Sequence, residues 1–256
     1  MTAEPRPSRS VAPERAHRVL DIETDAGPAR AYVIDPVGGR ANTEVKNSES
    51  SSTESANAET AAVTTTGKHQ PVGTLVLGHG AGKGTNTLDL WGLLDLADDG
   101  WRVVLVNQPW VLAGRKIATP PKTLDEGWRA VVSHLREAGE ITGRFVQGGR
   151  SAGARVACRT AVETGADAVV ALAFPLAAPG KADDPSKWRT DEAQAVLDAV
   201  VTLLVVQGAT DTFGGPDAIR AALPGADVAA VAGPHGFSKQ PQDVVDAVRR
   251  WLAAAS

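Results

Sequence analysis

The sequence predicts an α/β protein: a mostly parallel sheet carrying helices on both faces. Three observations point there. From about residue 72 onward, short runs rich in Val and Leu alternate with amphipathic stretches, the signature of buried strands joined by covering helices. Glycine-rich segments follow several of these runs, where an open parallel sheet places its crevice. A chain of 256 residues with 43% hydrophobic residues is also large enough to bury one sizeable core.

Taken in order, residues 1–17 are polar and contain prolines, so they are expected to form a loosely ordered arm ahead of a single domain over 18–256. Strands are expected over 19–23 and 30–34, separated by Asp25-Ala26-Gly27-Pro28, a composition that suits a hairpin turn. Residues 38–70 then change to Ser, Thr, Asn, Glu and Ala with almost no large apolar side chain. Such a segment cannot offset its ordering entropy and reads as a disordered insertion between two strands. Further strands are expected over 74–77, 102–107, 144–147, 168–173, 202–207 and 227–231. Helices are expected over 87–98, 123–138, 152–163, 191–200, 216–223 and 241–255, several with Thr, Asp or Ser near the start as a cap. Only the loops 108–122 and 174–190 are long enough to overhang the crevice, so the cap is minimal or absent.

The loop after strand 144–147 reads Gly148-Gly149-Arg150-Ser151-Ala152-Gly153 and runs into an alanine-rich helix. A serine on a sharp strand-to-helix turn needs nearly side-chain-free neighbours two positions away, which Gly149 and Gly153 supply. Five residues alone are a weak signal; the context strengthens them. A serine hydroxyl needs a base, and the base needs a carboxylate to orient it. After strand 202–207 comes Gly208-Ala209-Thr210-Asp211, and after strand 227–231 comes Gly233-Pro234-His235-Gly236. Ser151, Asp211 and His235 are therefore the catalytic candidates, in the chain order nucleophile, acid, base. His17, His69 and His134 fail on position, lying in the arm, the insertion and a helix.

Strand 74–77 runs into Gly78-His79-Gly80-Ala81-Gly82-Lys83-Gly84. Glycines allow backbone N–H groups close to a substrate oxygen, so Ala81 and Ala152 are the expected oxyanion donors and His79 is expected to be structural. The same run lacks the four-residue gap and Gly-Lys-Ser/Thr ending of a phosphate loop. Trp110, Phe174, Trp188 and Phe237 are candidate apolar pocket walls, and Lys83, Arg115, Lys116 and Arg150 are candidates to ring the mouth.

The net charge of −4 and pI near 5.8 arise from interspersed acids and bases, which disfavours a nucleic-acid or membrane-surface partner. The single cysteine, Cys158, excludes an internal disulfide framework and reads as a small buried hydrophobe. Residues 1–18 lack the apolar run of a secretory signal, and no stretch approaches a membrane span, so a cytoplasmic location is expected. No metal or nucleotide fingerprint is present, and no cofactor is expected.

Gly78-His79-Gly80-Ala81-Gly82, Gly149-Arg150-Ser151-Ala152-Gly153, Gln207-Gly208-Ala209-Thr210-Asp211 and Pro234-His235-Gly236 together carry a family resemblance. Over roughly 72–252 the chain resembles the branch of the α/β-hydrolases that includes testis-expressed protein 30 and KAT8 regulatory NSL complex subunit 3-like hydrolases. It is similar, more distantly, to the dienelactone hydrolases, from which it departs by a serine nucleophile in place of cysteine. The resemblance implies a sheet of about eight strands with the second antiparallel, and the Ser-Asp-His triad. The expected function is acyl-enzyme hydrolysis of a small ester or related acyl substrate, with anionic or polar esters favoured over long-chain lipids. The other class that the sequence leaves open is a catalytically idle fold serving as a binding or scaffold module.

Overall fold

Eight strands build one sheet: β1 (Arg18–Ile22), β2 (Ala29–Ile34), β3 (Gly73–Gly78), β4 (Trp101–Asn107), β5 (Arg144–Arg150), β6 (Ala168–Leu172), β7 (Thr202–Gly208) and β8 (Asp227–Val231). The computed structural model describes residues 12–37, 70–82, 84–237 and 240–254. Most of the expected arm, the expected insertion except its last residue, Lys83 and His69 lie outside them. The strand order is β1-β2-β4-β3-β5-β6-β7-β8. β2 is antiparallel to both of its neighbours, and every other pair except β1–β2 and β2–β4 is parallel. The hairpin turn explains the first pairing, because two adjacent strands joined by a short turn can only run antiparallel. The order reverses at β3, which lies between β4 and β5, so the loops after β3 and β5 face one crevice.

The helices are α1 (Leu88–Gly92), α2 (Pro109–Leu112), α3 (Pro121–Glu137), α4 (Ala152–Thr164), α5 (Asp191–Asp198), α6 (Pro216–Ala222) and α7 (Pro241–Ala254). They cover both faces. Val76, Val104 and Val169 point into a core with Trp128, Val132, Ala157 and Ile219 from α3, α4 and α6. Leu75, Leu77 and Val103 point the opposite way, into a core with Leu90, Val244 and Val248 from α1 and α7. Adjacent strand residues thus bury on opposite faces, which is why these strands are apolar throughout.

Three local expectations need correction. The helix expected over 87–98 is α1 followed by a 3-10 stretch, Leu93–Asp99, that ends at Gly100 with φ 89°. The helix expected at 123 begins at Pro121, whose fixed φ and missing N–H suit the first helical position. The lid-candidate loops hold α2 and a three-residue 3-10 turn, Pro185–Lys187, both too short to show a helical period. Cys158 is buried, and burial pushes its thiol well above the usual range, so it is inert core. Among the described residues no helix is long and apolar enough to cross a membrane.

Candidate active site

Ser151 forms the whole turn between β5 and α4. The strand continues through Gly148, Gly149 and Arg150, beyond the expected end at 147, because these residues still pair with β3 and β6. Ser151 then adopts φ 53° and ψ −110°, a strained conformation for a residue bearing a side chain. The flanking glycines are required for space. A Cβ on Gly149 would stand 2.8 Å from the Gly78 oxygen and the Gly153 carbonyl carbon, and one on Gly153 would stand 2.8 Å from the backbone of Gly78 and His79. Below the turn, buried Gln147 ties β5 to its helices. Its Oε1 accepts from Trp128 Nε1 (3.1 Å) and Thr164 Oγ1 (2.9 Å), and its Nε2 donates to the Ala157 carbonyl (2.6 Å).

Asp211 and His235 meet Ser151 through a crossing of loops over the end of β7. A Cβ on Gly208 would lie 2.6 Å from the Gly233 oxygen, so only glycine lets the chain leading to His235 pass there. His235 Nε2 lies 2.9 Å from Ser151 Oγ, and its Nδ1 lies 2.8 Å from Asp211 Oδ2. The Asp211 carboxylate is fully buried and also accepts from Phe213 N–H (2.8 Å) and Gln207 Nε2 (2.9 Å). Three donors fix its orientation. The Phe213 ring lies against the imidazole at 4.3 Å between centroids. Sequence reasoning quoted Gln207 and Gly208 only as part of a motif and gave no role to them, to Gln147 or to Phe213; two buried glutamines inside otherwise apolar strands were the available signal.

The loop after β3 borders the same point. A Cβ on Gly80 would lie 3.4 Å from Ser151 Cβ and 3.2 Å from Arg150 Nη1, so this backbone passes beside the serine and Ala81 follows directly. Ala152 is the first residue of α4, with an N–H that the helix does not use. Beside them opens a cavity of about 580 Å3 whose lining includes Gly80, Gly82, Asn86, Thr87, Leu88 and Arg150. Of the expected pocket residues, Arg150 is there, and Lys83 lies outside the described residues. The aromatic wall is a correction. Trp110, Phe174 and Phe237 do not line this cavity; they are buried in the core because the chain packs them behind the loops. Phe237 anchors the loop that carries His235, Phe174 offers its carbonyl to Gln207, and Trp110 packs on His79. Trp188 packs on the core edge, and Arg115 and Lys116 are exposed residues outside the cavity lining.

Residues 71–251 match the family model described as alpha/beta hydrolase domain. The chain belongs to that family. No curated protein matches this α/β-hydrolase by sequence. Its fold is similar to a serine hydrolase without a lid from Xanthomonas campestris, at 20% identity and TM-score 0.62, covering 93% of this chain and 95% of that one. It is also similar to Est1E from Butyrivibrio proteoclasticus (14% identity, TM-score 0.62, 92% and 98% covered) and to a dienelactone hydrolase from Anabaena variabilis (14%, 0.61, 93% and 97%).

In this α/β-hydrolase His79 is a structural element of the β3 loop, held neutral by its surroundings. Its Nδ1 donates to the Gly80 oxygen (2.8 Å) and its Nε2 accepts from the Gln108 N–H (3.1 Å), so a second ring proton would face a donor. Burial lowers its pKa from 6.5 to about 4. A lowered histidine pKa contributes stability that is complete above pH 6.5 and disappears as the pH falls through 4. The unfolding free energy is expected to drop by on the order of 3 kcal/mol more over that window than in a His79→Asn variant. Denaturant titrations of both proteins from pH 7 to 4 measure this, and parallel pH profiles would contradict it.

Proposed function

We propose that the chain is a serine hydrolase acting on a small ester or related acyl substrate through an acyl-enzyme. The observation that carries this is the unbroken relay from Ser151 Oγ to His235 Nε2, and from His235 Nδ1 to Asp211. With the Nδ1 proton donated to Asp211, Nε2 is left as the acceptor for the serine proton. Ser151 Oγ attacks the acyl carbonyl as its proton passes to Nε2. The leaving alcohol takes that proton as its bond to carbon breaks, and water repeats the sequence on the acyl-serine. The N–H groups of Ala81 and Ala152 hold the oxyanion in both steps. Asp211 stabilises the imidazolium that forms in between.

The same residues support membership of the branch with testis-expressed protein 30 and the KAT8 regulatory NSL complex subunit 3-like hydrolases. The partner is a small acyl substrate, with no nucleic-acid or membrane partner, and the location is cytoplasmic. A fluorophosphonate probe tests the central claim. One adduct per chain is expected, mapped by mass spectrometry to Ser151, within minutes at neutral pH. A folded protein that resists the probe is instead an idle binding module.

A further inference from the structure

The cavity beside Ser151 has the chemistry of a polar subsite. Among its described lining residues Leu88 is the one large apolar side chain; the rest includes glycine backbone, Asn86, Thr87 and Arg150. Nine buried side-chain polar atoms among the described residues lack a hydrogen-bond partner. Three of them, Thr85 Oγ1, Thr87 Oγ1 and Trp91 Nε1, belong to the segment entering and forming α1, and two more, Asp89 Oδ2 and Arg150 Nε, face each other as an ion pair at 3.1 Å. Of the first three, Thr87 lines the cavity, and its hydroxyl needs a partner that an alkyl chain cannot supply and a polar ligand can.

Arg150 gives the wall its specificity. Its side chain is 17% exposed, and its Nε stands 3.1 Å from Oδ2 of Asp89, a residue 1% exposed and set behind it. Nη2 donates to the His235 carbonyl at 3.2 Å. Nη1 donates to no described residue and lies beside side-chain-free Gly80, the same glycine that borders Ser151. The guanidinium is thus held from two sides, with one nitrogen left towards the cavity a short step from the nucleophile.

We propose that this cavity is a carboxylate subsite, so that the substrate is an ester carrying a second, ionised carboxylate which Arg150 Nη1 binds. This rests on the serine-hydrolase reading above. A planar, pre-oriented guanidinium matches the geometry of a carboxylate, and Asn86 adds a neutral amide donor at the rim. The length of the substrate follows from Gly80. Ser151 Cβ and Arg150 Nη1 both lie within 3.4 Å of the position a Cβ on Gly80 would take, so they stand no more than about 7 Å apart, a gap that a short diacid monoester such as a succinate spans. Asp89 offsets much of the arginine charge at longer range, so selectivity comes from short charge-assisted hydrogen bonds and is about tenfold rather than a thousandfold.

Three ethyl esters of matched size decide the matter: monoethyl succinate, its neutral amide counterpart ethyl succinamate, and apolar ethyl 4-methylpentanoate, each followed by acid release at constant pH. The wild type is expected to favour the succinate over the amide by about tenfold in kcat/KM, mostly through KM. In Arg150→Met that ratio falls to about one, and Arg150→Lys keeps about threefold. Fluorophosphonate labelling of Ser151 in each variant separates loss of the subsite from loss of the fold. Equal kcat/KM for succinate and amide in the wild type overturns the subsite. A ratio that survives in a labelled Arg150→Met also does, and leaves Arg150 as a positioning residue for the His235 loop. Turnover of the neutral esters alone removes the subsite and leaves the hydrolase; failure of every ester together with the probe removes both.

Discussion

Ser151→Gly is expected to abolish hydrolysis and, at the same time, to raise the melting temperature. The two effects have separate causes in one residue. Without Oγ the relay has no nucleophile, so kcat is expected to fall by on the order of 10⁴-fold or more, and the same loss is expected of Ser151→Ala. The backbone effect distinguishes the two substitutions. At φ 53° and ψ −110° a residue with a Cβ carries about 1–3 kcal/mol of strain, which glycine does not. Glycine loses more entropy on folding, about 0.5–1 kcal/mol, so strain relief wins on balance. The net gain of about 1 kcal/mol corresponds to a rise of about 2–4 °C for a domain of this size. Ser151→Ala keeps the strain and gains nothing. Calorimetry of the three proteins reads the difference, and a glycine variant that melts below the alanine variant would show that the turn is not strained.

Asp211→Asn is expected to lower kcat by about 10⁴-fold with little change in KM, because the amide cannot do what the carboxylate does for His235. Asp211 accepts three hydrogen bonds, from His235 Nδ1, Gln207 Nε2 and Phe213 N–H. An asparagine has one oxygen for these three donors. If its NH2 faces the imidazole, the ring proton shifts to Nε2 and the serine loses its base; if it faces Phe213, two N–H groups oppose each other. Either arrangement also leaves a buried donor unpaired, a cost of about 1–3 kcal/mol. Steady-state kinetics on any ester that the wild type turns over, with thermal unfolding alongside, measure both effects. A variant within tenfold of wild type would remove Asp211 from the relay. The fluorophosphonate reaction should slow in parallel, since it depends on the same proton transfer.

Much of this arrangement was legible before any contact was known, because it depends on local backbone needs. The alternation of Val-rich and Leu-rich runs with amphipathic stretches followed from side-chain periodicity, and the order of strands and helices in the structure keeps to it. Gly149 and Gly153 could be read as steric requirements of the turn, and the structure places backbone within 3 Å of the missing Cβ atoms. His79 could be set aside as structural because the loop already needed its backbone.

Other readings failed for a shared reason. Trp110, Phe174 and Phe237 sit near strand ends, and sequence position does not say whether such a ring faces a cavity or the core behind it; the packing buries all three. Gln147 and Gln207 look like isolated polar residues in apolar strands, and their role depends on partners from other elements. The lid-candidate loops carried helices of three and four residues, too short for periodicity to reveal.

By itself the sequence determined the α/β class and the serine turn flanked by two glycines, and it nominated the residues proposed as acid and base, since these follow from neighbours along the chain. Only the tertiary structure decided how they meet. His235 lies 84 residues from Ser151 and 24 from Asp211, and it reaches both because Gly208 lets its loop cross the end of β7. Arg150 belongs to the elbow by sequence, yet its setting comes from Asp89 on α1, Gly80 after β3 and the His235 carbonyl. Distances between such remote segments are set by sheet order and core packing, which no local pattern encodes.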